Sequence, residues 1–309
     1  MPNKDNQVLQ NTTKAIDTTI LRAKLLDTIM TGVFYVVALF FLVLLIVFAT
    51  YIIVKGFMDF DISMMAFDHR GIGNQLFNTV YLVILALLIS VPLGLLSGIY
   101  MAEYAKSGRG TKIIRISIET LSSLPSIVVG LFGYLVFIVM TGSQWNLFAG
   151  ALAVSILSLP IISTTTEDAL KSLPDGYKKG SYSMGATKWQ TIRMVLLPAC
   201  IRQIMTGIIF AAGRAFGEAA ALMFTAGMST DINWNSTNLF SSTHPLNPFR
   251  PGETLALQIW ASRTEAIAEN STQIANLCAA ILMIMVFTFS ISARYISQHI
   301  NKKMIGDNK

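Results

Sequence analysis

Long apolar runs alternate along the chain with short polar segments. Crossing the hydrocarbon of a bilayer takes about 20 consecutive apolar residues in a helix. Runs of that kind extend over Thr31 to Val54, Leu76 to Met101, Ile113 to Met140, Leu147 to Thr165, Ile201 to Met228 and Gln273 to Tyr295. The third is interrupted: Arg115 and Glu119 fall in its first turns, and Ser-Ser-Leu-Pro-Ser occupies Ser122 to Ser126, so it is continuously apolar only from Ile127. The pattern predicts an all-α integral membrane protein with about six transmembrane helices. Because the first run is too long for a signal-peptide core and lacks a small-residue cleavage site, it is expected to remain as a membrane helix.

Six spans place both termini on one side, and the distribution of Lys and Arg says which. Lys4, Lys14, Arg22 and Lys24 precede the first span; Lys106, Arg109, Lys112 and Arg115 follow the second. Lys171, Lys178, Lys179, Lys188, Arg193 and Arg202 follow the fourth, and Arg294, Lys302, Lys303 and Lys309 end the chain. The opposite side holds only Lys55, Arg70, Arg250 and Arg263. Both termini are therefore expected in the cytoplasm. The resulting organisation is a cytoplasmic tail (1–28), a first helix with its external loop (29–75), a core (76–297) and a cytoplasmic tail (298–309). Within the core lie a cytoplasmic loop at 167–200 and an external loop at 229–272. The external loop is rich in Asn, Ser, Thr and Pro until Glu253 to Ala268, an amphipathic stretch with Leu255, Ile259 and Trp260 on one side. That stretch is expected to lie along the membrane surface, as a tether or a docking surface.

Composition agrees, with 53% hydrophobic and 13% charged residues, too few charges to solvate a globule of 309 residues. The net charge of +6 is scattered over short loops instead of clustered with aromatics, so no nucleic-acid partner is expected and membrane lipid is. Cys200 and Cys278 lie in or beside apolar runs, and His69, His244 and His299 are isolated. No metal site, cofactor or catalytic residue follows from them. A phosphate loop of the G-x-x-x-x-G-K-[ST] type is missing, and Gly108 to Lys112 is too short to be one.

Arg214 and Glu218 lie four residues apart in the fifth run, which predicts one shared helix face at bilayer depth. Ionisable residues at that depth mark a path for substrate or pair with one another. In the first case Arg214 offers a guanidinium to a passing anion while Glu218 offsets its charge. In the second the two form a structural ion pair. Ser122, Ser123 and Ser126 surround Pro125, where the helix is either broken beside a cavity or simply kinked. Gly213 with Gly217, and Gly94 with Gly98, have the small-xxx-small spacing of close helix packing, a role also expected of Gly130.

The stretch from Glu167 to Pro198 reads as a helix, a glycine turn at Gly185, a second short helix, and a proline that restarts a span. This cytoplasmic knuckle resembles the loop by which permeases of bacterial ABC importers seat a coupling helix in their ATPase. That family's pattern is Glu-Ala-Ala, three residues, Gly, nine residues, then Ile-x-Leu-Pro. Gly185, Val195, Leu197 and Pro198 match it, and Ala186 follows the glycine, whereas Lys179, Gly180 and Ser181 stand where Glu-Ala-Ala is usual. Ser90 to Tyr104, Leu124 to Gly133 and Arg214 to Leu222 are similar to spans of the phosphate-permease branch, with Ala219 in place of a usual Thr. The N-terminal region and Thr254 to Ile259 look more like PstA-type than PstC-type subunits.

The resemblance implies a type I, MetI-like permease fold in the bacterial inner membrane, importing inorganic phosphate. Its implied partners are a homologous PstC-type permease, two PstB-type ATPases and an external PstS-type phosphate-binding protein. ATP hydrolysis would then belong to other chains. Sulfate, molybdate or phosphonate as cargo remains open, as does an ion-coupled carrier with Glu218 as its protonatable group.

Overall fold

The computed structural model describes residues 4–68, 71–106, 108–229, 231–238, 241–265 and 270–305. His69, Arg70 and the last four residues, Lys309 included, lie outside the described residues. The chain divides into two units, Met1–Ile52 and Ile53–Lys309. The first is filled by helix α1 (Lys4–Phe57), whose apolar side chains from Ile20 to Val47 are exposed along their length, as suits a surface solvated by lipid.

The second unit is built on α2 (Gly73–Ile99), α5 (Leu147–Lys171), α8 (Leu197–Phe216) and α11 (Ser271–Ile305). Lipid tails are as apolar as leucine, so burial of apolar surface contributes little to helix association and close van der Waals packing decides it. Small residues allow that approach. A Cβ on Gly94 would sit 2.7 Å from the Ile162 side chain, one on Gly98 2.5 Å from Thr166 Cβ, and one on Gly207 2.7 Å from Thr165. Ser155 Oγ donates to the Ala86 carbonyl at 3.0 Å, tying α5 to α2 across their seam. Leu82, Val83 and Ala86 pack there with Leu147, Ala151 and Val154 of α5 and Ala212, Ala215 and Phe216 of α8.

Two of the expected spans are not continuous helices. The third consists of α3 (Arg109–Ser123) and α4 (Ser126–Gly133), the latter continued by a π-helical turn at Tyr134–Val139, and the two are bent by 103°. Proline excludes the helical conformation from the residue before it, and both Leu124 (ψ 133°) and Pro125 (ψ 137°) are extended. This is a break and not an ordinary kink. The fifth span ends at Phe216, leaves the helix over Gly217–Ala219, and resumes as α9 (Ala220–Thr225). Counted among the described residues, five helices are long and apolar enough to cross a membrane, six with the bent pair taken as one.

Between α5 and α8 stand α6 (Gly176–Ser183) and α7 (Lys188–Thr191). Pro198 stands in the first turn of α8, as expected, although no gap separates α8 from the turn before it. A π-helical turn at Ile192–Leu196, in which Leu197 N–H reaches back to the Ile192 carbonyl, carries α7 into α8 as one helical run and absorbs the proline's missing donor.

Helix α10 (Leu255–Thr264) also departs from expectation, since it is packed into the bundle instead of lying on the membrane surface; residues 266–269 of the amphipathic stretch lie outside the described residues. Leu255 and Ile259 join Ile72, Leu277 and Cys278 in a core cluster, while Trp260 stays exposed. Polar residues on α2 hold the segment in place. Thr79 Oγ1 accepts from Leu255 N–H at 2.9 Å, Asn78 Nδ2 donates to the Glu253 carbonyl at 2.9 Å, and Gln75 Nε2 donates to Glu253 Oε2 at 3.2 Å. Arg250, fully buried, donates to Asn78 Oδ1 at 2.6 Å and to the Pro245 and Pro251 carbonyls. Burial lowers its pKa only to about 10, so it stays charged. Burial pushes the Glu253 carboxyl up to about 7, with the Glu265 carboxylate adding to the rise and the Gln75 hydrogen bond opposing it.

Two outcomes follow. The folded state holds the Glu253 proton more tightly than the unfolded chain, whose carboxyl titrates near 4.5, so stability falls as pH rises from there to about 7 and then levels off. Unfolding midpoints of the detergent-solubilised protein across that range should show the decline, and Glu253→Gln should flatten it; identical profiles for the two proteins would contradict the assignment. Gly130→Ala, whose Cβ would stand 2.7 Å from Ala221 Cα, should cost about 1–3 kcal/mol by overpacking. Gly213→Ala, with open space around its Cβ, should cost nothing measurable in the same melts.

Candidate functional site

The two breaks lie beside each other. Gly130 of α4 approaches the Ala221 backbone of α9, and a Cβ on Gly133 would stand 3.0 Å from the Thr225 side chain. Contacts at both places mean that α4 and α9 run side by side in the same direction, so their first residues lie within about one helical turn of one another. Ser126, half-buried, opens α4; Glu218 stands just before α9.

Glu218 does not share a helix face with Arg214, because α8 ends between them. Glu218 is 8% exposed, and its carboxylate turns onto the following helix, where Oε1 accepts the Ala221 N–H at 3.0 Å. It thereby satisfies one of the donors that a helix start leaves open and interacts favourably with the positive end of the helix dipole. Among the described residues the ion pairs do not include Arg214 with Glu218. Arg214 sits half-buried in the last turn of α8, where the free carbonyls at a helix C-terminus favour a cation. Its guanidinium is left without a carboxylate ion-pair partner among the described residues.

Ser122 and Ser123 end α3 on the far side of the 103° bend, exposed, with Ser123 Oγ donating to the Thr120 carbonyl at 2.8 Å. The structure thus brings Ser126 and Glu218 to the neighbouring starts of α4 and α9, places Arg214 in the last turn of α8 before the second break, and leaves Ser122 and Ser123 across the first. Gly217 is exposed, and a Cβ there would meet only carbonyls of its own turn at 3.9 and 4.0 Å. Close packing therefore describes Gly94, Gly98 and Gly130, while Gly213 and Gly217 face open space.

The Gly185 loop forms a second site. Gly185 has φ +80°, the left-handed conformation that glycine adopts without strain, and turns the chain between α6 and α7. A capping box closes α7, in which Thr187 Oγ1 accepts from Gln190 N–H and Gln190 Oε1 accepts from Thr187 N–H. The Ser181 and Thr191 hydroxyls meet at 2.9 Å across the turn, so the loop is internally braced. Lys179, Gly180 and Gly185 are exposed, Ser181, Ala186 and Pro198 half-buried. Met184 projects from the tip at 89% exposure, and a concavity of about 630 Å³ lies beside it, lined by Tyr177, Ser181, Gln190 and Met194 among others.

Sequence reasoning missed Glu167 and Arg115 as partners. Glu167 Oε1 lies 2.6 Å from both Arg115 Nη2 of α3 and Lys171 Nζ, fastening the displaced helix to α5. The spacing of Glu167 and Lys171 signals their own contact; nothing in the sequence pairs Arg115 with them.

Comparisons with known proteins agree with this architecture. Residues 90–306 match the model of the family described as "Binding-protein-dependent transport system inner membrane component". The chain is 41% identical over 291 residues to the "Probable ABC transporter permease protein YqgI" of Bacillus subtilis, covering 92% of this chain and 99% of that one. It is 36% identical over 197 residues to the "Phosphate transport system permease protein PstA" of Yersinia pestis, covering 62% and 65% of the two chains. Among solved structures, a chain of a bacterial alginate ABC transporter superposes with a TM-score of 0.62 at 17% identity, covering 94% of this chain and 98% of that one. A chain of the MetNI methionine ABC transporter does so with a TM-score of 0.55 at 19% identity, covering 78% and 99%. These two show the shared fold. The chain belongs to the family of binding-protein-dependent transport system inner membrane components, the membrane-spanning permeases of ABC transporters.

Proposed function

We propose that the chain is the PstA-type permease subunit of an ATP-driven importer of inorganic phosphate. The observation that carries the reading is Arg214, a guanidinium in the last turn of a membrane helix, beside a break in that helix and without a carboxylate ion-pair partner. A charge at such depth is tolerated where it faces water or a binding partner, and a guanidinium matches an oxyanion in bidentate fashion. Relatives named as phosphate transport permeases favour phosphate over sulfate, molybdate or phosphonate.

In this reading the chain pairs with a homologous PstC-type permease, and the two enclose the path. The excess of Lys and Arg on one side sets both termini in the cytoplasm of a bacterium, with the Gly185 loop projecting there. Two PstB-type ATPases receive Met184 and its neighbours, and a PstS-type binding protein delivers phosphate on the opposite face. The chain itself hydrolyses nothing. Closure of the ATPases on ATP moves the loop and tilts the spans, so that Arg214 faces outward to receive the anion; hydrolysis returns it inward. Glu218, turned onto α9, is then a structural cap and not an ion-coupling group.

Uptake of radiolabelled phosphate into proteoliposomes containing the whole complex and its binding protein tests this. Uptake should require ATP inside the proteoliposomes and resist excess sulfate. Arg214→Ala should lower it about 10- to 100-fold, the loss of one charge-assisted bidentate contact, with Arg214→Lys falling between. Undiminished uptake by the Ala variant would remove Arg214 from the path, and uptake driven by a proton gradient without ATP would overturn the whole reading.

A further inference from the structure

Past Asp175, at the start of α6, the Gly185 loop is cationic. From Gly176 to Pro198 it carries Lys178, Lys179, Lys188 and Arg193 and not one Asp or Glu. The carboxylate that meets Lys178 comes from a distant helix. At its far end α2 passes into a π-helical turn, Tyr100–Tyr104, which holds Glu103 with its side chain only 6% exposed. Lys178 Nζ of α6 lies 2.7 Å from Glu103 Oε1, in an ionic contact and not a directed hydrogen bond. On the other side of the Gly185 turn, Lys188 of α7 donates its ammonium to the Glu103 backbone carbonyl and stands 4.4 Å from the centre of the Tyr104 ring. Glu103, in the turn that continues α2, is thus gripped by a lysine from each of the two short helices.

We infer that Glu103 is a positioning residue for energy coupling: its clamp with Lys178 and Lys188 transmits movement of the loop to α2. This rests on the reading of the loop as the seat of the ATPase. The mechanical argument is that both ends of the linkage are stiff. The loop is braced internally by the Ser181 to Thr191 contact and the α7 capping box. Helix α2 is packed along α5 through Gly94 and Gly98, where a single methyl group has no room. A load applied at Met184 therefore reaches α2 through the Glu103 pair, beside the packing of Ile192 and Leu196 on Ile99, and not through bending of either partner. Because the carboxylate is buried, removing its charge or its partner leaves an uncompensated group, which is costly, whereas exchanging the two charges restores the pair.

The test uses the whole reconstituted complex and reads phosphate imported per ATP hydrolysed, a ratio that a loss of folded protein alone does not change. Glu103→Gln and Lys178→Met should each assemble with the ATPases yet lower this ratio about tenfold, with ATP hydrolysis persisting. The exchange of charges, Glu103→Lys with Lys178→Glu, should recover most of it. If either single variant fails to assemble, recovery of assembly and ratio by the exchange supports the clamp, and failure of both overturns it. A wild-type ratio in Glu103→Gln overturns the inference while leaving the functional reading intact. A wild-type complex that imports no phosphate on ATP overturns that reading and this inference with it.

Discussion

Hydrocarbon supplies no hydrogen-bond partner, so each backbone N–H and C=O that leaves a helix within the bilayer has to find one in protein or water. Among the described residues the third and fifth spans leave their helices, at Leu124–Pro125 and at Gly217–Ala219, and the two departures lie beside one another. Gly130 makes that possible, because only a residue without a Cβ lets the backbones of α4 and α9 come so close. Glu218 then satisfies part of the second break from within the chain, while Ser122 and Ser123 at the first break and Gly217 at the second are exposed. A polar, irregular surface of this kind is incompatible with lipid.

Arg214 follows from the same constraint. Had α8 continued through Gly217, Arg214 and Glu218 would have faced each other one turn apart and neutralised one another. The break diverts the carboxylate onto α9 and leaves the guanidinium on the carbonyl end of α8, a local environment that accepts a cation without cancelling its charge. A positive group that is stabilised but not paired is available to bind and release an anion. The Gly185 loop, at a separate place in the fold, has the complementary character: rigid, basic and tipped by an exposed methionine.

What the sequence revealed and what it concealed divide along physical lines. Span positions were legible because hydropathy is a sum over about 20 residues and tolerates local error. The loop was legible through Gly185, since few residues besides glycine take a positive φ. Pro125 announced the first break through its effect on Leu124. The second break carried no proline, and a Gly-Glu-Ala sequence continues a helix as readily as it ends one, so the shared face of Arg214 and Glu218 was a reasonable expectation that tertiary packing overrode. Helix α10 was misplaced because Leu255 and Ile259 look alike whether they face lipid or Cys278 and Leu277. Arg250, Glu253 and Glu103 were invisible as anchors, for their partners lie far away in sequence and only the folded chain brings them together.

The central claim is that the adjacent breaks line a water-filled path. Accessibility to a membrane-impermeant thiol reagent measures it most directly, with single cysteines introduced into the assembled, membrane-embedded complex after Cys200 and Cys278 are replaced. Ser126→Cys and Gly217→Cys should react readily, whereas Leu88→Cys, at an α2 position 70% exposed on the lipid-compatible surface, should not. Reaction at Ser126 and Gly217 no faster than at Leu88 would mean that the breaks are dry and that the substrate passes elsewhere.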